Sequence, residues 1–315
     1  MNFLSLSDRI QGMFLGIAIG DALGMPVETK TPEYIKEKYG WLTEYMAPTR
    51  KGWEGKLKGT TTDDTQLTLA VSKALLIAGT SMDAQVVQHL KEKNSSTEGW
   101  GRTTTQALER LQNGTSFEIS GTFTDAEYGT GNGVIMKLAP VLAYELVKGK
   151  DVSEFLIQLT KMTHNTKEAL ESTAAYYAAL KYCAKAQEFD QAEFYKVIHQ
   201  ALGQDSCMLQ YIDKAFSPSG FKEEDIKSIG GEGRPRFSCK YSLPLTIYCF
   251  LTAPTAIESL YEAVNAGGDT DTNASMVGAL LGLFNGPDIF PKALVDGLDP
   301  KSKTDVLTHA QAWVT

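Results

Sequence analysis

The chain has 315 residues, of which 43% are hydrophobic and 22% are charged. This composition is typical of a globular protein and argues against a disordered one. The formal net charge of −8 argues against the basic surface that non-specific nucleic-acid binding needs, and it suits a site that collects cations.

The cysteine spacing and the apolar runs predict where the chain resides. The four cysteines show neither C-x-x-C spacing nor a disulfide framework, which predicts reduced thiols in a cytoplasmic protein. No stretch is expected to reach the ~20 apolar residues of a membrane span. Because Asp8 precedes the first apolar run and Asp21 ends it, we interpret this run as mature sequence and not as a signal peptide.

The first predicted helix starts near Asp8, where Ser7 and Asp8 resemble an N-terminal cap before apolar residues at helical spacing. Gly12, Gly16 and Gly20 recur four residues apart on this helix. A helix face without side chains predicts that a second helix packs closely against it.

A glycine- and proline-rich turn ends the first helix. It contains Gly24 and Pro26, and it is flanked by Asp21 and Glu28. Taken alone, Asp21 is interpreted as a solvated or capping acid and Glu28 as a surface acid.

Two acids stand where a later helix begins. A short helix is predicted over Pro32–Tyr39, and a glycine- and lysine-rich loop over residues 50–59. The loop leads into Asp63 and Asp64, with threonines on both sides and an apolar helical face behind them. A helix cap needs only one such side chain, whereas adjacent carboxylates repel each other unless a cation lies between them. Both interpretations stay open at this point.

A glycine-rich loop follows in the middle of the chain. Helices are predicted over residues 84–93 and 106–111, and a loop over 113–121. The loop Gly129–Gly133 then opens a helix, an arrangement in which bare N–H groups can hold an anion. It does not follow a strand and lacks the G-x-G-x-x-G spacing, so no dinucleotide fold is implied.

The last part of the chain carries the most informative stretch, Gly267–Asn273. Asp269 and Asp271 are hard oxygen ligands, and Thr270 and Thr272 add hydroxyl oxygens, which suits an ion of the Mg²⁺ or Mn²⁺ type. The alternative is an N-cap of the apolar helix that follows, without any metal.

Helices are predicted in most of the remaining sequence. They cover residues 155–162, 168–184, 192–201, 208–215, 242–252, 256–265, a stretch ending at 283, and 302–313. The loop 228–236 is the one candidate domain boundary. Since strand-like alternation is absent, we predict an all-α fold, a compact single-domain orthogonal multi-helix bundle over residues 1–315. The carboxylates of the three acid-bearing turns would repel one another if clustered without cations, which predicts a dinuclear metal cleft.

Five ordered motifs resemble the ADP-ribosylglycohydrolase family. They are Gly20-Asp21-Ala22-Leu23-Gly24 with Pro26 and Glu28, Thr62-Asp63-Asp64-Thr65, Gly131-Asn132-Gly133 with Met136, Thr163-His164, and Gly267-Gly268-Asp269-Thr270-Asp271-Thr272-Asn273-Ala274 with Gly278-Ala279. The resemblance spans residues 12–286. It implies an all-α fold with two Mg²⁺ or Mn²⁺ ions.

The resemblance also implies roles for individual residues. The implied metal ligands are Thr62, Asp63, Asp64, Asp269, Asp271 and Thr272. The implied ADP-ribose-binding residues are Gly101, Gly129, Thr130, Gly131, Asn132, Gly133 and His164. Glu28 and Asp63 are expected to move protons in catalysis. Lys137 stands where the family often has arginine; it keeps the charge but not the bidentate fork.

The resemblance implies a hydrolase that cleaves the bond between the anomeric carbon of the distal ribose and a modified protein side chain. Arginine-linked ADP-ribose is the preferred substrate, and serine-linked ADP-ribose, O-acetyl-ADP-ribose or a modified nucleic-acid end are alternatives. A non-catalytic ADP-ribose-binding or structural member is the competing class. The expected partners are ADP-ribose and an ADP-ribosylated protein, without a membrane or nucleic acid, and a monomer is expected.

Overall fold

The computed structural model describes residues 4–48, 53, 55–95, 99–125, 128–217 and 237–315. Every regular element in these ranges is a helix, and the predicted all-α fold is confirmed. Extended backbone is limited there to one antiparallel bridge, between Gly131 and Ser238.

The helices follow one another with short connections. The α-helices are α1 (Leu6–Gly24), α2 (Pro32–Tyr39), α3 (Asp63–Ala78), α4 (Met82–Ser95), α5 (Arg102–Gln112), α6 (Phe117–Ser120), α7 (Ala139–Lys148), α8 (Ser153–Thr163), α9 (Lys167–Lys185), α10 (Gln191–Leu202), α11 (Leu209–Phe216), α12 (Cys239–Thr252), α13 (Glu258–Asn265), α14 (Thr270–Asn285), α15 (Lys292–Gly297) and α16 (Pro300–Ala312). Short 3₁₀ helices lie at Met25–Val27, Asn132–Lys137 and Pro287–Ile289.

Four local predictions are wrong in detail. The first helix begins at Leu6 with Ser5 as its N-cap, and not at Ser7 or Asp8. Helix α15 lies where no helix was predicted. The expected loop at 113–121 contains the short helix α6, because the Ser116 hydroxyl accepts a hydrogen bond from the Glu118 N–H at 3.3 Å and starts a turn. The glycine loop opens a 3₁₀ turn, Asn132–Lys137, and only then does α7 begin. The candidate domain boundary at 228–236 lies outside the described residues.

Helices α1 and α14 form the centre of the fold, packed antiparallel with almost no side chain between them. A Cβ at Gly16 would lie 2.0 Å from the carbonyl oxygen of Gly278, and a Cβ at Gly278 would lie 2.0 Å from that of Gly16. The predicted bare glycine face is therefore confirmed. Near the other end, Gly24 meets the backbone of Thr270, so the end of α1 lies beside the beginning of α14.

The stretch Leu6–Val27 meets the length and composition of a membrane span, and 94% of its apolar window is buried inside the protein. The expectation that no stretch reaches that length is thus wrong. The physical reason is that α1 has helices on all sides, so that it is apolar around its whole circumference like a spanning helix.

Candidate functional site

A cleft of about 420 Å³ opens where α1, α3 and α14 meet the glycine loop and α5. That volume suits a ligand of drug or nucleotide size. The predicted site residues that line it are Glu28, Asp63, Asp64, Gly101, Thr130, Gly131, Asn132, Gly133, His164, Asp269, Asp271 and Thr272. Thr62 and Gly129 are buried next to this lining. The fold thus brings the whole predicted set to one place.

Asp21, at the end of α1, caps the beginning of α3. Its carboxylate accepts hydrogen bonds from the backbone N–H groups of Thr62 and Thr65, at 2.9 to 3.1 Å. It also accepts from their hydroxyls, at 2.8 and 2.6 Å. The cap of α3 is therefore supplied by another helix, and the Thr62 side chain makes no cap bond of its own. The interpretation of Asp21 as a solvated acid is wrong, because its side chain is wholly buried.

Asp64 joins α3 to α14. Its Oδ2 accepts a hydrogen bond from the Thr272 hydroxyl at 3.2 Å and lies 3.3 Å from the Thr62 hydroxyl oxygen, whose single hydrogen goes to Asp21. Its Oδ1 is buried and has no hydrogen-bond partner among the residues described. A buried carboxylate oxygen without a donor is costly, and it suits a site where a cation completes the coordination.

Two groups of carboxylates are close enough to share a cation. The first contains Asp21, Asp64 and Asp271, and the second contains Glu28, Asp269 and Asp271. One oxygen from each member lies within 4.8 Å of the others in its group. Because each Asp21 oxygen already accepts at least two hydrogen bonds, we interpret Asp21 as a support for the cluster and not as a ligand. Asp271 belongs to both groups.

Burial makes this cluster costly for a protein without cations. It raises the pKa of Asp63, Asp64 and Asp271 well above the ordinary value, and neighbouring carboxylates raise each of them further. Burial also raises the pKa of Asp21 to about 6, against the lowering effect of its hydrogen bonds. A divalent cation relieves both effects, so the residues present fit a metal site.

The helix dipoles oppose a cation here, since the positive ends of α3 and α14 point toward the cluster. That effect is about 1 kcal/mol, which is small compared with direct carboxylate coordination. At α3 the unfavourable effect of the dipole is also reduced, because the buried carboxylate of Asp21 accepts hydrogen bonds from the N–H groups at the start of the helix. The cap and the metal interpretations of these acidic turns are therefore compatible.

Backbone pairing holds Glu28 at the second acid group. Thr29 donates its N–H to the Gly268 carbonyl at 2.7 Å, and Gly268 donates its N–H to the Lys30 carbonyl at 2.8 Å. Thr29 adopts φ of +68°, and Gly267 and Gly268 have φ of +74° and +77°. These left-handed conformations favour glycine. They allow the two turns to pair and place the carboxyl of Glu28 against Asp269 and Asp271.

The glycine loop lines the same cleft beside the acid cluster. We call Glu28, Asp64, Asp269 and Asp271 the acid wall, and the Gly129–Gly133 loop with His164 the donor wall. Asn132 connects them, since its amide donates to Asp269 Oδ2 and to the Ser242 hydroxyl at 2.7 Å. The Asn132 side chain, predicted to bind ADP-ribose, is thus turned toward the acid wall.

The glycines of the donor wall pack directly against the buried ring of His164. A Cβ at Gly131 would lie 3.3 Å from His164 Nε2, and one at Gly133 would lie 3.4 Å from His164 Cε1. Gly129 has φ of +83° and its carbonyl accepts from the Thr166 hydroxyl at 2.7 Å, which fixes the start of the loop. Burial lowers the pKa of His164 to about 3, so the imidazole is neutral.

An aromatic rim was missed by sequence reasoning. Trp100, Tyr128 and Phe237 line the cleft mouth, and the Phe237 side chain is 46% exposed. The Arg102 guanidinium lies 5.2 Å from the centre of the Tyr128 ring. These residues lie in loops far apart in sequence. Hydrophobic periodicity predicts helices and strands but not loop positions, so no local signal identified them.

Asp63 stands apart from the two acid groups, although it lines the same cleft. A Cβ at Gly99 would lie 2.5 Å from its Oδ1, and Gly99 has φ of +88°. The loop backbone therefore closes directly over this carboxylate. At Gly101 a Cβ would meet nothing within 4 Å, so this glycine borders open cleft.

Known proteins resemble this chain over nearly its full length. A family profile described as ADP-ribosylglycohydrolase matches residues 4–314. ADP-ribosyl-[dinitrogen reductase] glycohydrolase from Rhodospirillum rubrum is 25% identical over 314 residues, covering 98% of this chain and 96% of that protein. Human ADP-ribosylhydrolase ARH3 is 25% identical over 339 residues, covering 96% and 92%. A solved structure titled ADP-ribosylglycohydrolase-related protein complex superposes with a TM-score of 0.75 at 24% identity, covering 98% of both chains.

Proposed function

The chain belongs to the ADP-ribosylglycohydrolase family of hydrolases acting on ADP-ribose linkages, and we propose that it removes mono-ADP-ribose from a modified protein side chain. The bond cleaved is the one at the anomeric carbon of the distal ribose. Arginine-linked ADP-ribose is the proposed substrate, with serine-linked and O-acetyl-ADP-ribose as the alternatives.

One observation carries this proposal: a buried carboxylate cluster and a neutral glycine loop line one cleft. Asn132 joins them directly through its bond to Asp269. A nucleotide sugar has two ends that match these two parts of the cleft. Its phosphates need N–H donors, and its reacting ribose needs cations and proton-transfer groups. The name of the Rhodospirillum relative, which specifies a protein as the carrier of the ADP-ribosyl group, supports a protein-linked substrate.

We propose that two Mg²⁺ or Mn²⁺ ions bind between the acid wall and the neighbouring Thr62, Asp63 and Thr272. The proposed ligands are Thr62, Asp63, Asp64, Asp269, Asp271 and Thr272. The Thr62 hydroxyl donates to Asp21 and the Thr272 hydroxyl to Asp64, so each keeps oxygen lone pairs for a cation. When bound, such ions act as Lewis acids that orient ribose hydroxyls and make a water more acidic.

The protein's own residues supply binding, orientation and proton transfer. The Gly129–Gly133 loop and Gly101 leave room for the ADP moiety, and His164 contacts it. Glu28 borders the cleft and is only half-buried, so its carboxyl can exchange a proton with the attacking water. Asp63, whose pKa is raised by burial, is the second proposed proton carrier, for the leaving side chain.

The decisive experiment follows release of ADP-ribose from three substrates, carrying arginine-linked, serine-linked and O-acetyl-linked ADP-ribose, with Mg²⁺ or Mn²⁺ and with a chelator. We expect metal-dependent release, fastest from the arginine substrate. Asp271→Asn is expected to be inactive, and Asp151→Asn, at an exposed surface acid, is the matched control. If wild type released nothing from any substrate, the enzyme proposal would be wrong.

A further inference from the structure

Two of the histidines are buried and neutral, and they make different contacts through Nδ1. His89 Nδ1 lies 2.8 Å from the carbonyl oxygen of Gln85. A carbonyl oxygen only accepts hydrogen bonds, so His89 carries its hydrogen on Nδ1. His164 Nδ1 lies 2.8 Å from the hydroxyl of Thr163. A hydroxyl both donates and accepts, so this contact alone leaves the tautomer of His164 open.

Lys137 resolves that choice. Its side chain is wholly buried, and its amino group donates a hydrogen bond to the Thr163 hydroxyl oxygen at 3.4 Å. The Thr163 hydroxyl is buried too, and Lys137 Nζ and His164 Nδ1 are its hydrogen-bond partners in the described ranges. An ammonium group has donors only. The oxygen could accept from both partners, but its own buried proton would then have no acceptor, which is costly. We therefore assign that proton to the hydrogen bond with His164 Nδ1, the acceptor within reach among the described residues.

The hydrogen of the imidazole is then on Nε2, which is the nitrogen facing the cleft. This edge of the ring lies against Gly131 and Gly133, where a Cβ would come within 3.3 Å of Nε2 and 3.4 Å of Cε1. His164 is buried but belongs to the cleft lining, and only glycines at these two positions let a ligand approach the ring. A neutral N–H in this place donates to an oxygen acceptor and carries no net charge.

We propose that Lys137 and Thr163 fix His164 as the Nε2–H tautomer, and that this N–H donates to an oxygen of ADP-ribose held by the Gly129–Gly133 loop. The inference rests on the proposed function for the identity of the ligand. Lys137 and Thr163 act through His164, so they are positioning residues.

Nitrogen NMR of the histidine rings tests the tautomer in the full-length protein without ligand. Spectra are recorded below pH 7, because burial lowers the pKa of Lys137 to about 7. We expect His164 to be protonated on Nε2 and His89, the internal control, on Nδ1. His164→Gln and His89→Gln assign the signals. A wild-type His164 protonated on Nδ1 would overturn the inference.

We call the hydrogen-bond chain from Lys137 through Thr163 to His164 the relay. Variants of the relay distinguish control of the tautomer from simple packing. Thr163→Val removes the hydroxyl at nearly equal volume, and Thr163→Ser retains it. We expect Thr163→Val and Lys137→Met to give mixed His164 tautomers and to weaken ADP-ribose binding about three- to tenfold, the effect of one hydrogen bond. Thr163→Ser should behave as wild type. An unchanged His164 tautomer in folded Thr163→Val contradicts the relay, and if the variants do not fold, the wild-type spectrum decides.

The outcome for the tautomer and the outcome for the function are distinguishable. A wild-type protein that binds ADP-ribose but shows His164 protonated on Nδ1 overturns the tautomer inference alone. A wild-type protein with the expected tautomer that neither binds ADP-ribose nor releases it overturns the ligand and the proposed function together.

Discussion

The two walls of the cleft meet opposite electrostatic requirements. In the acid wall, burial and mutual repulsion raise the pKa values of the aspartates, so the wall is costly until a cation or protons neutralise it. In the donor wall, burial lowers the pKa of His164 to about 3. The imidazole therefore stays neutral and can donate a directional hydrogen bond without carrying a charge.

The walls also differ in how they are built. The acid wall stands on the ends of α1, α3 and α14, whose positions follow from the glycine contact between Gly16 and Gly278. The donor wall is a loop and a 3₁₀ turn, fixed by a few bonds such as the one from Thr166 to the Gly129 carbonyl. This difference predicts that changes in the acid wall affect catalysis and stability strongly, whereas changes in the donor wall affect ligand affinity mildly.

The largest effect is expected in the acid wall from Asp64→Asn. The change removes the carboxylate between α3 and α14 and places an amide beside the proposed cations. We expect kcat/KM to fall roughly a thousandfold, about 4 kcal/mol of transition-state stabilisation, with Mn²⁺ affinity reduced in titrations. ADP-ribose binding by the donor wall should be weakened far less. Full activity in Asp64→Asn would remove Asp64 from the ligand set.

The second-largest effect is expected at the contact between α1 and α14, which supports the acid wall. Gly16→Ala places a Cβ 2.0 Å from the Gly278 carbonyl oxygen, so α1 and α14 have to separate. We expect the free energy of unfolding to fall by about 3 kcal/mol, the upper range for an overpacked core, as measured by urea denaturation. Gly101→Ala is the control for stability, because its Cβ meets nothing within 4 Å. Equal stability of both variants would contradict the close packing.

The third effect is the pH dependence of stability without metal. The pKa of Asp21 is 3.8 when exposed and about 6 in the fold, so the folded state binds more protons between these values. The contribution of Asp21 to stability is therefore fully present below pH 3.8 and is lost as pH rises through about 6, by up to about 3 kcal/mol. Asp21→Asn should have a shallower slope, because the raised pKa values of Asp63, Asp64 and Asp271 remain. Added Mg²⁺ should stabilise wild type more above pH 6 than below it. Parallel pH profiles for wild type and Asp21→Asn would count against the raised pKa.

The smallest effect is expected in the donor wall. A Cβ at Gly133 would lie 3.0 Å from the Thr104 hydroxyl, so Gly133→Ala needs a small local shift. We expect ADP-ribose affinity to fall about tenfold by calorimetry, with Mn²⁺ affinity unchanged. The double variant with Thr104→Ala removes the contact and should recover part of the loss. A matching loss of Mn²⁺ affinity would show that the walls do not act separately.

Sequence reasoning reached the fold and the composition of the cleft because the signals were local. Helical periodicity and caps predicted nearly all helices, and the four-residue glycine spacing predicted the bare face of α1. The acidic turns at Thr62–Asp64 and Gly267–Asn273 are continuous in sequence, so a pattern could identify them. The roles assigned to them in metal binding and catalysis stay predictions.

What the sequence by itself determined was which residues are available: apolar helices, a glycine face, three acid-bearing turns and a glycine loop. Only the tertiary structure decided how they act on one another. It made Asp21 the cap of a helix some forty residues away, turned Asn132 toward Asp269, and brought Lys137 behind His164. The physical reason is that burial and hydrogen-bond partners depend on neighbours in space, and a pattern along the chain carries no information about those neighbours.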